Sequence, residues 1–300
     1  MENSKKTFNI GSSFKRVTQA MFSAPLPHAK LYAATLMWCY AGTVGAHEYW
    51  LESVTSKPKQ SPSIELIARV GEGLQSDRFQ PFSADSYQRL WVNGSQALKS
   101  NVRLADDKNV MVIEPNDSNT NSVAYQEKPA LHRYNKFEEF ILFAKEEGVE
   151  HIVEQHLASD LPKAHFYEQF TRHTKALFCS VPEPTAKEPS NNSNTPIDYE
   201  WIAQDNVHSP DTTVVQLQLL KDNEPLAERP VTVFAEYDGE DEVKRIRLKT
   251  DDKGVVLIDN KPGRYLVNST VVHRADRDVT LATGAIWESH WVSLTFNNQC

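Results

Sequence analysis

The sequence predicts a mainly β protein: an N-terminal β-sandwich-like region with a helical insertion, then an antiparallel β-sandwich. Three observations predict this. Short apolar runs bounded by turn residues recur from Tyr49 to Glu127 and again from residue 213 to the end. The apolar period changes from two to 3.6 only around residues 135–178. The turns "YDGED", "TDDKG" and "NKPG" punctuate the last third at the spacing of a sandwich of about seven strands.

The chain opens differently. Lys5, Lys6, Lys15, Arg16 and Lys30 face a single acid, Glu2, before the uncharged run Leu31–Ala46. That run falls short of the roughly 20 apolar residues a membrane span needs. A basic region, a short apolar region and the small-x-small ending Val44-Gly45-Ala46 form the pattern of a cleaved signal peptide over residues 1–46. The expected mature protein therefore begins at His47 and is periplasmic. An uncleaved anchor or a buried hydrophobic helix is the alternative. Translation starts at Met1 or at Met21, the latter giving a signal of usual length. Cys39 lacks the small residues that precede a lipidated cysteine.

The remainder, 47–300, carries 27 bases and 39 acids once the five bases and one acid of residues 1–46 are gone, a net charge of −12. Nucleic acid is excluded as a partner, since it requires a basic face. Cys179 and Cys300 are the two cysteines left, and one disulfide between them is expected in an exported chain.

The elements follow in order. "SIELIARV" places Ile64, Leu66, Ala68 and Val70 on one face of a strand. "YQRLWVNGS" is a strand ending in an Asn-Gly turn, and "NVMVIEP" is an apolar strand stopped by Pro115. In "NKFEEFILFAKEEG", Phe137, Phe140, Ile141 and Ala144 recur at helical spacing, and Gly148 is placed to cap the helix. A second helix is predicted over "LPKAHFYEQFTRHTKALF", from Phe166, Phe170, Thr174 and Leu177. Residues 47–181 thus form the first region. Polar, proline-rich "PEPTAKEPSNNSNTP" begins a linker or long loop, assigned to 182–211. Six β-rich runs, from "TVVQLQLL" to "HWVSLTF", complete a domain over 212–300.

Seven phrases carry a family resemblance: "AHEYWLES", "ARVGEGL", "NKFEEFILFAKEEGVE", "FTRHTKAL", "LLKDNEPLAERPVTV", "TDDKGVVLI" and "WESHWVSLTF", in this order. The chain resembles the domain-of-unknown-function family of exported bacterial proteins grouped with periplasmic components of cobalt and nickel (ABC-type) uptake systems. The resemblance covers nearly all of 47–300. It implies a helical insertion in an N-terminal β region, then an immunoglobulin-like (Cna-B-like) module. It also implies nickel or cobalt as cargo and a membrane or outer-membrane transporter component as partner. The position before Trp291 is usually apolar or aromatic in the family, so His290 inherits nothing from it.

The residues themselves point to nitrogen-donor metal chemistry. After cleavage, His47 offers an α-amine and an imidazole from one residue. Such donors suit nickel, cobalt, copper or zinc. In "WESHWVSLTF", strand alternation places Glu288 and His290 on one face with Val292, Leu294 and Phe296, while Trp287 and Trp291 point the other way. His273 ends the strand "RYLVNSTVV". The expected metal ligands are His47, His273, Glu288 and His290, gathered in one site, with His132 a weaker candidate. His165 and His173, eight apart on the expected second helix, read as surface or packing residues. The chain lacks a nucleophile elbow, a glycine-rich phosphate loop and a paired-cysteine motif, so it is not expected to be an enzyme. A non-enzymatic module binding protein or glycan is the alternative function.

Overall fold

The computed structural model describes residues 48–54, 63–75, 79–80, 82, 87–93, 95–96, 102–104, 110–114, 122–178, 195 and 197–298. His47, Cys179 and Cys300, and with them the signal segment and the disulfide, lie outside these described residues.

The fold is mainly β, as the alternating runs require. Its centre is a nine-stranded sheet. Along it lie β15 (Lys244–Lys249), β14 (Pro230–Tyr237), β17 (Gly263–Arg274), β18 (Ala285–Asn297), β10 (Phe166–Leu177), β8 (Ser122–Glu127), β4 (Tyr87–Val92) and β5 (Ser95–Gln96). Strand β9 (Ala130–Tyr134) shares the outer edge of β10 with β8. One face of this sheet is covered by a second sheet of β11 (Tyr199–Ala203), β12 (Val214–Lys221), β13 (Glu224–Pro225) and β16 (Val255–Asp259). Their shared core holds Tyr199, Trp201, Leu217, Leu219, Val292, Leu294 and Phe296. The other face is covered by a third sheet, β1 (Glu48–Ser53), β2 (Ile64–Gly71), β3 (Phe79–Gln80), β6 (Val102–Leu104) and β7 (Val110–Ile113). Beside it sit helices α1 (Phe137–Glu147) and α2 (His151–Ala158). A short helix α3 (Arg277–Thr283) joins β17 to β18.

Strand β1 is held by burial and by bonds to the central sheet. Tyr49, Trp50 and Leu51 are each almost wholly buried, worth roughly 1.5–3 kcal/mol apiece. Ser293 Oγ donates to the Tyr49 carbonyl and Thr295 Oγ1 to that of Leu51, both at 2.7 Å. Ser293 and Thr295 lie on the same side of β18 as Trp287 and Trp291, because strand side chains alternate. β1 therefore lies on the face of the sheet opposite Glu288 and His290.

Helix α1 forms where the helical period predicts it. It ends at Gly148, whose φ of 72° is the left-handed cap that glycine adopts without strain. The second predicted helix is corrected: residues 166–177 are β10. The strand pairs in parallel with β18 on one side and antiparallel with β8 and β9 on the other. Both of its faces are buried, which erases the period-two signal and leaves a coincidental helical one. Helix α2 occupies 151–158 instead. The expected loop over 182–211 is corrected in part as well. Tyr199–Ala203 form β11, every residue of it buried, too short a run between polar stretches to stand out. Strands from either side of 182–211 share the central sheet, so the halves expected around that stretch are joined by backbone pairing.

Gly263 is fixed by packing. Its φ is 147°, and a Cβ there would stand 2.2 Å from the Glu236 carbonyl oxygen and 2.9 Å from Tyr237 Cα. Gly263 pairs with Tyr237 where β17 starts, so any side chain pries β14 from β17. We expect Gly263→Ala to lower unfolding stability by about 1–3 kcal/mol or more, read as a fall in the urea midpoint at unchanged m-value.

A histidine cluster and a buried acid group

Three strands bring three histidines to one face. In the β17–β18 register, His273 lies opposite Glu288 and Val271 opposite His290. In the β10–β18 register, Thr171 lies opposite His290 and His173 opposite Val292. Since opposed residues share a face, His173, His273, Glu288 and His290 all point to the side that β11 covers.

Contacts tighten this set around His290. Its Nδ1 lies 3.2 Å from His173 Nε2. Its ring stacks on Tyr199, with centroids 4.2 Å apart and planes 21° apart, and on His273 at 5.5 Å and 29°. His173 is buried, and its Nδ1 has no hydrogen-bond partner. Burial, with Arg89 nearby, lowers His173 to about 3. Burial, then His173, His273 and Lys221, with Asp198 opposing, lowers His290 to about 3. Both rings are therefore neutral at pH 7, the form that ligates metals. His273 Nδ1 sits 2.9 Å from the Arg274 carbonyl. That carbonyl accepts, so Nδ1 donates and Nε2 is left with the lone pair when the ring is neutral.

Of the residues expected in one site, the structure brings His273, Glu288 and His290 to one face. Glu288 is engaged in holding the chain: it accepts from Gln169 Nε2 at 3.3 Å and from the Asp276 backbone N–H at 3.1 Å. His132 stands elsewhere. It lies opposite Glu168, hence on the Trp287 side, with its ring edge-on to Tyr134 at 4.6 Å. β1, which follows His47, lies on that side too. His173 and Tyr199 were missed by sequence reasoning. The spacing around His173 predicts a helix and the polar stretch around Tyr199 predicts a loop, so strand parity places neither.

The cluster suits a borderline metal by chemistry and partly by geometry. Two nitrogens bound at about 2.0–2.1 Å stand roughly 3.3–3.4 Å apart in a tetrahedral shell and about 2.9 Å apart when cis in a square one. The His173–His290 spacing of 3.2 Å falls between. It also suits a hydrogen bond. Among the described residues, no group of three or more His, Cys, Asp or Glu side chains converges as a shell. A third ligand from His273 requires its side chain to rotate.

The opposite face holds a buried acid group. Glu48, on β1, is 3% exposed, and its Oε2 has no partner. Burial, then Glu147, pushes its carboxyl up to about 8. Glu147 ends α1 and accepts from Thr270 Oγ1 at 2.6 Å; burial raises it to about 7. Glu168 accepts from Tyr134 and Ser289 hydroxyls, and burial raises it to about 7.

Stability should follow pH accordingly. A raised carboxyl contributes stability that is full below its ordinary value of 4.5 and is lost as pH climbs through 7–8. The lowered histidines act oppositely: their contribution is full above 6.5 and lost as pH falls toward 3. For the full-length chain we expect the thermal midpoint to fall from pH 6 to pH 8.5. Glu147→Gln should flatten that limb, and an unchanged limb would refute the assignment.

A family model described as "Domain of unknown function (DUF4198)" matches residues 44–273. No curated protein matches the chain.

Proposed function

Because the chain belongs to this DUF4198 family, whose description assigns no activity, we propose its function from the site: it is an exported protein that binds a transition metal, nickel or cobalt by preference, and passes it to a transporter component of the membrane or outer membrane. The observation that carries this is the contact at 3.2 Å between buried His173 and half-buried His290, both neutral. Hard cations such as calcium and magnesium prefer oxygen shells, and the cluster offers nitrogens. Tyr199 stacking fixes the His290 ring, so binding need not order it. The acidic surface attracts cations to the protein. Nickel and cobalt rest on the family resemblance, and copper and zinc suit the same donors.

Isothermal titration of the metal-free protein with each of the four ions tests this. Saturable binding of one ion per chain, lost when His290 is replaced, supports it. Absent heat returns the chain to the alternative reading as a module that binds protein or glycan, and heat indifferent to His290 places the metal outside the cluster.

A further inference from the structure

We propose that Gln126 positions His173 for metal: its amide oxygen takes the proton of His173 Nδ1, directly or through one water, and leaves Nε2 as the ligating atom. Two orphaned polar atoms carry this. His173 and Gln126 are each 1% exposed. His173 Nδ1 and Gln126 Oε1 have no hydrogen-bond partner among the described residues. The two residues lie opposite each other in the β10–β8 register, so their side chains leave the same face of the central sheet. Opposed strand residues have Cβ atoms about 4.5–5.5 Å apart, within reach of one hydrogen bond or one bridging water.

The other end of the Gln126 amide decides its orientation. Nε2 donates to Asp198 Oδ2 at 3.0 Å and to Gln88 Oε1 at 3.2 Å. Asp198 is itself held by Arg89, whose Nη1 stands 2.8 Å from Oδ1. Flipping the amide would set its oxygen against those two acceptors, so Oε1 is the atom left over. The tautomer of His173 follows from a count of protons. Both rings of the pair are neutral at pH 7, and a neutral imidazole has one N–H and one lone pair. The 3.2 Å contact between His173 Nε2 and His290 Nδ1 holds a single proton. Were that proton on Nε2, the bare Nδ1 would join Oε1 as a second buried acceptor without a donor. With the His173 proton on Nδ1, one bond satisfies both orphans, and His290 Nδ1 donates to Nε2 instead. On binding, the shared proton gives way to the metal. The Nδ1 proton of His290 goes to water and its Nε2 takes one up, so the ring stays neutral. An acceptor behind a ligating histidine fixes its ring and raises its basicity. Asp198 also precedes Tyr199, whose ring stacks on His290, so the same chain of bonds reaches both histidines.

This rests on the metal-binding reading of the cluster, and the test separates the two. Long-range ¹H–¹⁵N NMR of the metal-free protein, labelled with ¹⁵N-histidine at pH 7, reads the tautomer of each ring. His173 is assigned by the signals lost in His173→Gln. His173 should carry its proton on Nδ1, as should His290. Gln126→Leu should move both protons to Nε2 and lower metal affinity by about 10–100-fold. The exchange of Gln126→Glu together with Asp198→Asn keeps an acceptor at 126 and the net charge. It should keep the Nδ1 tautomer and bind metal as the wild type does. A His173 proton on Nε2 in the wild type overturns the proposal, as does a tautomer or an affinity that Gln126→Leu leaves unchanged. If Gln126→Leu does not fold, the wild type and the exchange decide. Failure of the wild type to bind nickel, cobalt, copper or zinc overturns the metal reading and the ligand role of Nε2, while the tautomer still decides the bond to Gln126.

Discussion

Replacing Lys175 with methionine should destabilise the protein by about 3–5 kcal/mol, the usual result of removing one partner of a buried ion pair. Lys175, on β10, is 1% exposed, and Glu200, on β11, is 3% exposed; Nζ and Oε2 stand 3.1 Å apart. Glu200 also accepts from the Thr195 backbone N–H and hydroxyl, both at 2.8 Å. The pair thereby bolts the covering sheet to the central one. Burial depresses Lys175, and the Glu200 charge opposes that. Methionine keeps the chain length and leaves the Glu200 charge buried with hydroxyl and amide donors alone. The double variant Lys175→Met with Glu200→Gln should recover a large part of the loss, since the orphan charge goes with it. Urea unfolding of the three variants measures this. A single-variant loss below about 1 kcal/mol would mean that water reaches the pair.

How much of this was legible in the sequence depends on how many faces each segment buries. β2, β4, β7 and the strands after residue 213 could be read because turn residues bound them, and several alternate cleanly, as Val215, Leu217 and Leu219 do. Helix α1 could be read from its 3.6 period and Gly148. β10 could not: Phe166, Glu168, Thr171, His173 and Lys175 are all buried, on two faces and between two strand neighbours, so nothing repeats at period two. Parity along "WESHWVSLTF" placed Glu288 and His290 on one face and both tryptophans on the other, and the contacts agree. Parity within one strand says nothing of its neighbours, however. That β10 would run parallel beside β18 and supply His173 is a long-range pairing with no local signal. The same limit hid the acid group, whose members are spread from residue 48 to 168 and share no motif. Glu288 illustrates a different limit: a carboxylate two residues from a histidine is a ligand by spacing, yet Gln169 of β10 and the backbone of Asp276 already use it.

His290→Phe should reduce metal affinity by at least about 100-fold, beyond the 10–100-fold that loss of a supporting residue brings. Phenylalanine keeps an aromatic ring to stack on Tyr199 and removes both nitrogens, so packing is largely preserved while the donor is lost. His273→Phe should weaken binding less, by on the order of tenfold, because its ring must move to join the pair. His132→Phe, on the other face of the sheet, should change nothing. The pH profile offers an independent check. An ordinary imidazole gains a proton near 6.5, and protons then compete with metal. His173 and His290 gain theirs only near 3. Affinity should therefore hold nearly level from pH 8 down to pH 5 and fail as pH approaches 3. A site that loses affinity through pH 6.5 would have to use some other histidine as its principal ligand. Equal affinity in wild type and His290→Phe would place the metal outside the cluster altogether.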